Sequence, residues 1–128
     1  MLLDTHVLVW ALLTPGHLSR AAHDALAAST ARIVSAASLY EITYKAQVGK
    51  WPEVAPLLEV DLDARLRADG FEIAPATGAI MERAGRLAWG HRDPFDRLIV
   101  VTAQCGGLKL VSKDETLDDA PEGIVRIW

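Results

Sequence analysis

The sequence predicts an α/β fold built around a mostly parallel sheet of about five strands. Short aliphatic or β-branched runs alternate along the 128 residues with longer helical segments. Strands separated by helices form parallel sheets with helices on both faces. Apolar residues make up 51% of the chain, which excludes an intrinsically disordered protein.

The predicted elements follow in order and are bounded by Gly, Pro and capping residues. The predicted strands are 1–3, 32–35, 71–73, 108–112 and 124–127. The predicted helices are 6–13, 19–28 with Ser19 as N-cap, 38 to about 49, 54–68, 77–89 and 94–105. No repeat or linker interrupts them, so we expect a single domain over residues 1–128.

Four acidic residues fall at boundaries between these elements. Asp4 follows the first strand and Asp114 follows the fourth. Glu41 and Asp96 are predicted in the first turns of two helices. In a parallel α/β sheet, strand carboxyl ends and helix amino ends share one edge, which is where such folds bind ligands. The sequence therefore predicts four carboxylates at that edge.

Carboxylates gathered at one place repel one another unless a cation joins them. Oxygen ligands without cysteine or histidine favour Mg²⁺ or Mn²⁺ over zinc. An ion held in this way suits phosphodiester hydrolysis, because it activates a water molecule and stabilises charge on phosphoryl oxygens. Neither G-x-x-x-x-G-K-[ST] nor G-x-G-x-x-G occurs, which removes the simplest nucleotide-binding alternatives.

Each acid also has a structural interpretation. Ser38 and Glu41 have the spacing of a capping box. Asp93 is expected to cap the helix that starts at residue 94, and Asp114 has the position of a cap for a short turn. Asp4 is the hardest to explain in this way, because it lies between two apolar segments where an unpaired carboxylate is costly.

Other polar residues near the acids have several possible roles. We expect His6 to be packed in a helix and His91 to be a polar loop residue, rather than ligands or bases. Arg92 and Arg97 flank the acids and are candidates for binding a phosphate, or for pairing with Asp93 or Asp96. The four tryptophans are expected in the core or at an interface.

Composition sets the compartment and limits the partners. Cys105 is the only cysteine, which fits a reducing cytoplasm, and no apolar run near the start is long enough to span a membrane. The net charge of −4 argues against tight, non-specific nucleic-acid binding. Without the four acids, basic and acidic residues balance. A modest basic rim is then expected from Lys45, Lys50, Arg83, Arg86, Arg92 and Arg97.

Four segments together resemble those of PIN-domain ribonucleases, specifically the VapC-type toxins of bacterial and archaeal toxin–antitoxin pairs. They are MLLDTHVLVW (1–10), VSAASLYEI (34–42), HRDPFDRLI (91–99) and LVSKD (110–114), in the order and spacing of that family. The resemblance covers about the whole chain.

The resemblance implies a PIN-like three-layer sandwich and Mg²⁺ or Mn²⁺ at Asp4, Glu41, Asp96 and Asp114, with Asp93 beside these ligands. It implies RNA as substrate and a hydroxyl near the metal from Ser112. It also implies a homodimer, and an antitoxin protein that places a helix in a groove formed by residues 38–68.

Three other functions stay open at this point. A receiver-like signalling module also places acids at strand ends, but neither the second nor the third predicted strand is followed by an acceptor aspartate. A catalytically inactive PIN-like protein would only bind a partner. A DNA flap nuclease would be expected to carry a larger basic surface.

Overall fold

The computed structural model describes all 128 residues and has a five-stranded sheet at its centre. The strands are β1 (Leu2–Leu3), β2 (Arg32–Ser35), β3 (Phe71–Ala74), β4 (Leu110–Val111) and β5 (Arg126–Ile127). Their order is β3-β2-β1-β4-β5, and every neighbouring pair is parallel. The predicted parallel α/β class is confirmed.

Helices make all the longer connections between the strands. The α-helices are α1 (Thr5–Leu13), α2 (Arg20–Ala28), α3 (Ala36–Gln47), α4 (Leu62–Ala68), α5 (Gly78–Arg86) and α6 (Pro94–Gly106). Three 3₁₀-helices span Pro15–His17, Pro52–Glu59 and Glu115–Asp119. No helix combines the length and the apolar character that crossing a bilayer requires.

The two faces of the sheet carry separate hydrophobic cores because side chains alternate along each strand. Leu3, Val34 and Val111 pack with side chains from α1 to α4 in one cluster. Leu2 and Leu110 face the other way and pack against α6. The sheet is therefore the middle layer of three, as the three-layer prediction requires.

The prediction of one helix over residues 54–68 is wrong. Pro56 lacks an amide hydrogen, and this stretch forms the 3₁₀-helix Pro52–Glu59. Val60 is extended, with φ −125° and ψ 155°. Asp61 then starts α4 by accepting a hydrogen bond from the Ala64 amide, with 3.0 Å between the oxygen and the nitrogen.

The capping box at Ser38 and Glu41 is also wrong, because α3 starts three residues earlier than predicted. Ser35 is the N-cap, and its hydroxyl accepts a hydrogen bond from the Ala37 amide at 3.2 Å. Ser38 is buried inside the helix, where its hydroxyl accepts from Thr5 Oγ1 at 3.0 Å. Glu41 therefore lies in the second turn and has no capping role.

Several predicted elements are longer than the observed ones. The helix predicted over 77–89 ends at Arg86, and the strands predicted over 108–112 and 124–127 shrink to two residues each. Residues 87–93 instead form a loop that leads into α6. Gly107 ends α6 in the left-handed conformation, with φ 58°.

Candidate functional site

Asp4 lies at the centre of the carboxyl edge of the sheet. It follows β1, the middle strand, and its amide donates to the Val111 carbonyl at 3.0 Å. The residue is 6% exposed and occupies the N-cap position of α1, yet its side chain makes no capping hydrogen bond. Instead the Ser112 hydroxyl donates to Asp4 Oδ2 at 2.6 Å. The carboxylate is thus buried and held toward β4.

Ser112 connects Asp4 with Asp114. While donating to Asp4, the Ser112 hydroxyl accepts a hydrogen bond from the Asp114 amide at 3.0 Å. The Asp114 carboxylate accepts from the Thr116 amide at 2.9 Å and from its hydroxyl at 2.7 Å. The capping interpretation of Asp114 is therefore correct, and both bonds of the cap fall on Oδ1 and leave Oδ2 free.

Glu41 projects from α3 and is almost completely buried, at 4% exposure. Its Oε1 accepts a hydrogen bond from the Lys45 ammonium at 2.5 Å, one helical turn away. A buried charge needs such a partner, because desolvation of an unpaired carboxylate costs several kcal/mol or more.

Asp96 lies in the first turn of α6, beside the capping residue. Asp93 caps the helix as predicted, because its Oδ1 accepts from the Phe95 amide at 2.8 Å and the Asp96 amide at 3.4 Å. The Asp96 side chain contacts His91, and its Oδ2 lies 2.6 Å from His91 Nε2. The ring of His91 stacks on Trp89, with centroids 4.5 Å apart.

The electrostatics of these acids show that they lie near one another. Burial raises the pKa of Asp4, and the charge of Glu41 adds to the rise. The hydrogen bond from Ser112 lowers this pKa but does not outweigh burial. Burial also raises the pKa of Asp96 to about 6, and the charges of Asp93 and Asp4 add to it. Asp4 after β1, Glu41 in α3 and Asp96 in α6 are therefore close enough for the charge of one to raise the pKa of another.

Comparison with known proteins shows the family of the chain. The family model described as PIN domain matches residues 1–123. Ribonuclease VapC22 of Mycobacterium tuberculosis is 34% identical over 119 residues, which cover 91% of this chain and 88% of that protein. The chain belongs to the PIN domain family.

Solved structures share the fold of this PIN domain over nearly its whole length. VapBC2 from Rickettsia felis, bound to a DNA fragment from its promoter, aligns with a TM-score of 0.67 and 19% identity, covering 99% of this chain and 98% of that one. A toxin–antitoxin complex from Klebsiella pneumoniae aligns with a TM-score of 0.63 and 23% identity, covering 97% of this chain and 94% of that one.

The receiver-like hypothesis is wrong, because receiver sheets have the strand order 2-1-3-4-5, whereas this sheet has the order 3-2-1-4-5.

Lys45, expected from the sequence only in a basic rim, contacts the acids of this candidate site through Glu41. Burial opposes its charged form, but the hydrogen bond and charge of Glu41, helped by Asp93 and Asp96, outweigh burial and raise the pKa of Lys45. Its ammonium also lies 5.6 Å from the centre of the Phe95 ring. The i, i+4 spacing from Glu41 was the signal that could have placed it here.

Arg97 is not free to bind a phosphate. Its guanidinium donates to the carbonyls of Ala84, Trp89 and His91, each at 3.0 Å, and also to that of Leu87. These bonds fix the loop that carries His91, so Arg97 positions His91 rather than contacting the acids itself. Arg92 is exposed and makes no recorded side-chain hydrogen bond.

Much of the predicted basic rim is likewise paired with acidic side chains. Arg83 pairs with Glu122 and Arg86 with Glu82. His6 is exposed rather than packed inside its helix, and its ring lies 4.6 Å from that of Trp51. The electrostatic surface next to the acids is therefore less basic than the sequence suggested.

The chemistry of the donors fits a hard divalent cation, although the side chains do not already form a closed cage. As placed, no three His, Cys, Asp or Glu side chains converge closely enough to hold one ion. Asp4, Glu41 and Asp96 are each turned toward a hydrogen-bonding neighbour. Buried carboxylates whose pKa values are raised by burial and by one another are nevertheless the groups that a cation would stabilise.

Proposed function

We propose that this PIN domain, spanning residues 1–128, is a metal-dependent endoribonuclease and the toxin of a VapBC-type toxin–antitoxin pair. The observation that carries the proposal is Asp4, buried at the carboxyl edge and bonded to Ser112, together with the buried Glu41, whose charge raises the pKa of Asp4, and with Asp96, whose pKa the charge of Asp4 raises. The proposal is also supported by the 34% identity to a protein named Ribonuclease VapC22 and by the fold shared with a toxin–antitoxin complex and with VapBC2.

In this proposal Asp4, Glu41, Asp96 and Asp114 hold Mg²⁺ or Mn²⁺. The bound ion would activate a water molecule and neutralise charge on the phosphodiester oxygens. Ser112 orients the Asp4 carboxylate and accepts a hydrogen bond from the Asp114 amide. It thereby connects two acids that lie 110 positions apart in the chain.

Two further residues complete the arrangement around Asp96. His91 holds the Asp96 carboxylate in place through its Nε2 atom. Asp93 caps α6, so the amides of the first turn are already satisfied when Asp96 turns toward its site. Among the arginines proposed to contact substrate, Arg92 remains available and Arg97 acts through the loop that it fixes.

We further propose that an antitoxin covers residues 38–68 and that the chain forms a homodimer. Large exposed apolar side chains support an interface, since monomeric soluble proteins rarely expose large apolar patches to solvent. The eight such residues include five within this stretch: Tyr40, Tyr44, Val48, Leu58 and Val60. Tyr40 and Tyr44, one helical turn apart, stack with centroids 5.6 Å apart, and Tyr40 directly precedes Glu41.

The test is cleavage of total RNA by protein freed of any antitoxin. Wild type should cleave with Mg²⁺ or Mn²⁺ and stop when a chelator is added, while Asp96→Asn should be inactive with metal. Asp24→Asn is the matched control, because Asp24 is an exposed aspartate on α2.

Equal cleavage by wild type and Asp96→Asn would show that the activity does not use this site. If no RNA is cleaved, calorimetric titration with Mn²⁺ decides between the remaining hypotheses. Binding that is lost in Asp4→Asn supports the nuclease with a narrow target. No binding at all supports a catalytically inactive PIN-like protein.

A further inference from the structure

A cavity of about 390 Å³ opens beside the proposed catalytic acids. It lies between the loop that precedes α6 and the 3₁₀-helix Glu115–Asp119. Its lining is Trp89, Gly90, His91, Thr116 and Asp119. The cavity is wide open to solvent rather than enclosed.

Both walls of the cavity are bonded to proposed metal ligands. On one wall, His91 Nε2 lies 2.6 Å from Asp96 Oδ2. On the other, the Thr116 hydroxyl donates to Asp114 Oδ1 at 2.7 Å. A group bound in the cavity would therefore lie next to the phosphodiester that these acids are proposed to cleave.

The first wall offers an aromatic surface. The rings of Trp89 and His91 are nearly parallel, at 19°, with centroids 4.5 Å apart. Arg97 donates to the carbonyls of both residues at 3.0 Å, which fixes the pair against the body of the domain. Unpaired RNA bases are commonly bound by stacking on such side chains.

The second wall offers an uncommitted carboxylate. Asp119 is exposed and makes no recorded side-chain hydrogen bond or ion pair. Its neighbour Asp118, in contrast, is held by two bonds to Arg126, each of 2.8 Å. The two oxygens of Asp119 can accept two parallel N–H groups, a pattern that guanine presents with its N1–H and its amino group.

We propose that this cavity is a base-binding subsite that selects an unpaired guanine of the RNA substrate next to the cleaved bond. Because Trp89 and His91 stack on each other, the base stacks on the outer face of this pair, and it donates its N1–H and amino hydrogens to Asp119. Adenine, cytosine and uracil lack this pair of adjacent donors. The inference rests on the proposed ribonuclease function for its location in the substrate, but base binding can be measured without any cleavage.

The first test is an NMR titration of the metal-free protein with the 5′-monophosphates of guanosine, adenosine, cytidine and uridine. The four probes share a phosphate, so differences report the base. Guanosine monophosphate should bind about tenfold more tightly than the others, the discrimination typical of one bidentate contact. Its shifts should centre on residues 89–91 and 116–119.

Asp119→Asn should reduce this preference to within about twofold, because only one acceptor oxygen remains. Glu115→Gln is the matched control, since it removes one acid from the same 3₁₀-helix outside the cavity and should leave the preference unchanged. Equal binding of all four nucleotides by the wild type, or a preference that survives Asp119→Asn, would overturn the inference.

The second test maps the ends of cleaved RNA by sequencing. Wild type and Glu115→Gln should cut next to guanine, whereas Asp119→Asn should cut at guanine about tenfold less efficiently and with a weaker base preference. An enzyme that cleaves with no guanine preference refutes the subsite and leaves the nuclease intact. Guanine-selective binding by a chain that neither cleaves RNA nor binds Mn²⁺ would retain the subsite and refute the proposed function.

Discussion

Replacing Asp96 with asparagine is expected to stabilise the folded chain at neutral pH while abolishing activity. Burial, with the charges of Asp93 and Asp4, raises the pKa of Asp96 from 3.8 to about 6. The folded chain therefore binds the Asp96 proton more tightly than the unfolded chain does. Ionisation of Asp96 above pH 6 thus weakens folding, and a neutral amide of the same shape avoids this loss.

The size of the effect follows from the shift in pKa. A rise in the pKa of Asp96 from 3.8 to about 6 lowers the free energy of unfolding by about 3 kcal/mol at pH 7.5. At pH 4.5, where the unfolded carboxyl is mostly ionised and the folded one is not, linkage gives a loss of about 1 kcal/mol. The side chain is 23% exposed, and asparagine retains a hydrogen-bonding group for His91.

The assay is urea unfolding of wild type and Asp96→Asn at the two pH values, in the presence of a chelator. The variant should be more stable by about 2–3 kcal/mol at pH 7.5, and the gap should shrink to about 1 kcal/mol at pH 4.5. Asp24→Asn, at an exposed site, should change stability by less than about 0.5 kcal/mol at either pH. A variant that is less stable than wild type at pH 7.5, or a gap that does not depend on pH, would refute the reasoning.

Three further outcomes are expected. Mn²⁺ at about a hundred times its dissociation constant should stabilise wild type by about 2.7 kcal/mol in thermal melts, and Asp4→Asn should lose this gain; equal gains would place the ion elsewhere. Ser112→Ala should lower stability by about 1–3 kcal/mol and reduce cleavage, because Asp4 and the Asp114 amide each lose a hydrogen bond; unchanged rates would remove Ser112 from the site. Leu8→Ala, at a fully buried position, should cost about 2–5 kcal/mol in urea unfolding with kcat unchanged per folded molecule; a selective loss of kcat would contradict its role in the core alone.

The sequence was sufficient to predict the parallel sheet and the edge at which the acids lie, because both depend on local patterns. Apolar runs that end at Asp4 or shortly before Asp114 mark strand ends. Asp93 before a proline marks a helix start, and the structure has that cap. The order of the strands could not be read, since pairing of β1 with β4 joins residues more than 100 positions apart.

The errors have local physical causes. Ser35 and Ser38 are both capable caps, and the preference for Ser38 came from its spacing to Glu41. In the structure β2 passes directly into α3, so the helix begins at the end of the strand and Ser38 becomes a buried contact of Thr5. The helix predicted over residues 54–68 followed the apolar periodicity and gave Pro56 too little weight. Pro56 was the signal in the sequence that could have indicated the break before α4.

The tertiary partners of the site residues could not be predicted. Arg97 lies near acids in sequence, yet its guanidinium binds loop carbonyls that only the folded arrangement of α5 and α6 brings together. His91 was expected in a loop, and its hydrogen bond to Asp96 depends on the loop geometry that Arg97 fixes.

The most direct test of the account is a crystal grown with Mn²⁺, with anomalous scattering measured to locate the ion. The expected result is a peak bound by carboxylate oxygens of Asp4 and Asp96, with Glu41 and Asp114 in the same cluster, at about 2.0–2.4 Å from the coordinating oxygens. A peak only at other residues, or no peak at Mn²⁺ concentrations that support cleavage, would contradict the claim that these four acids form the metal site.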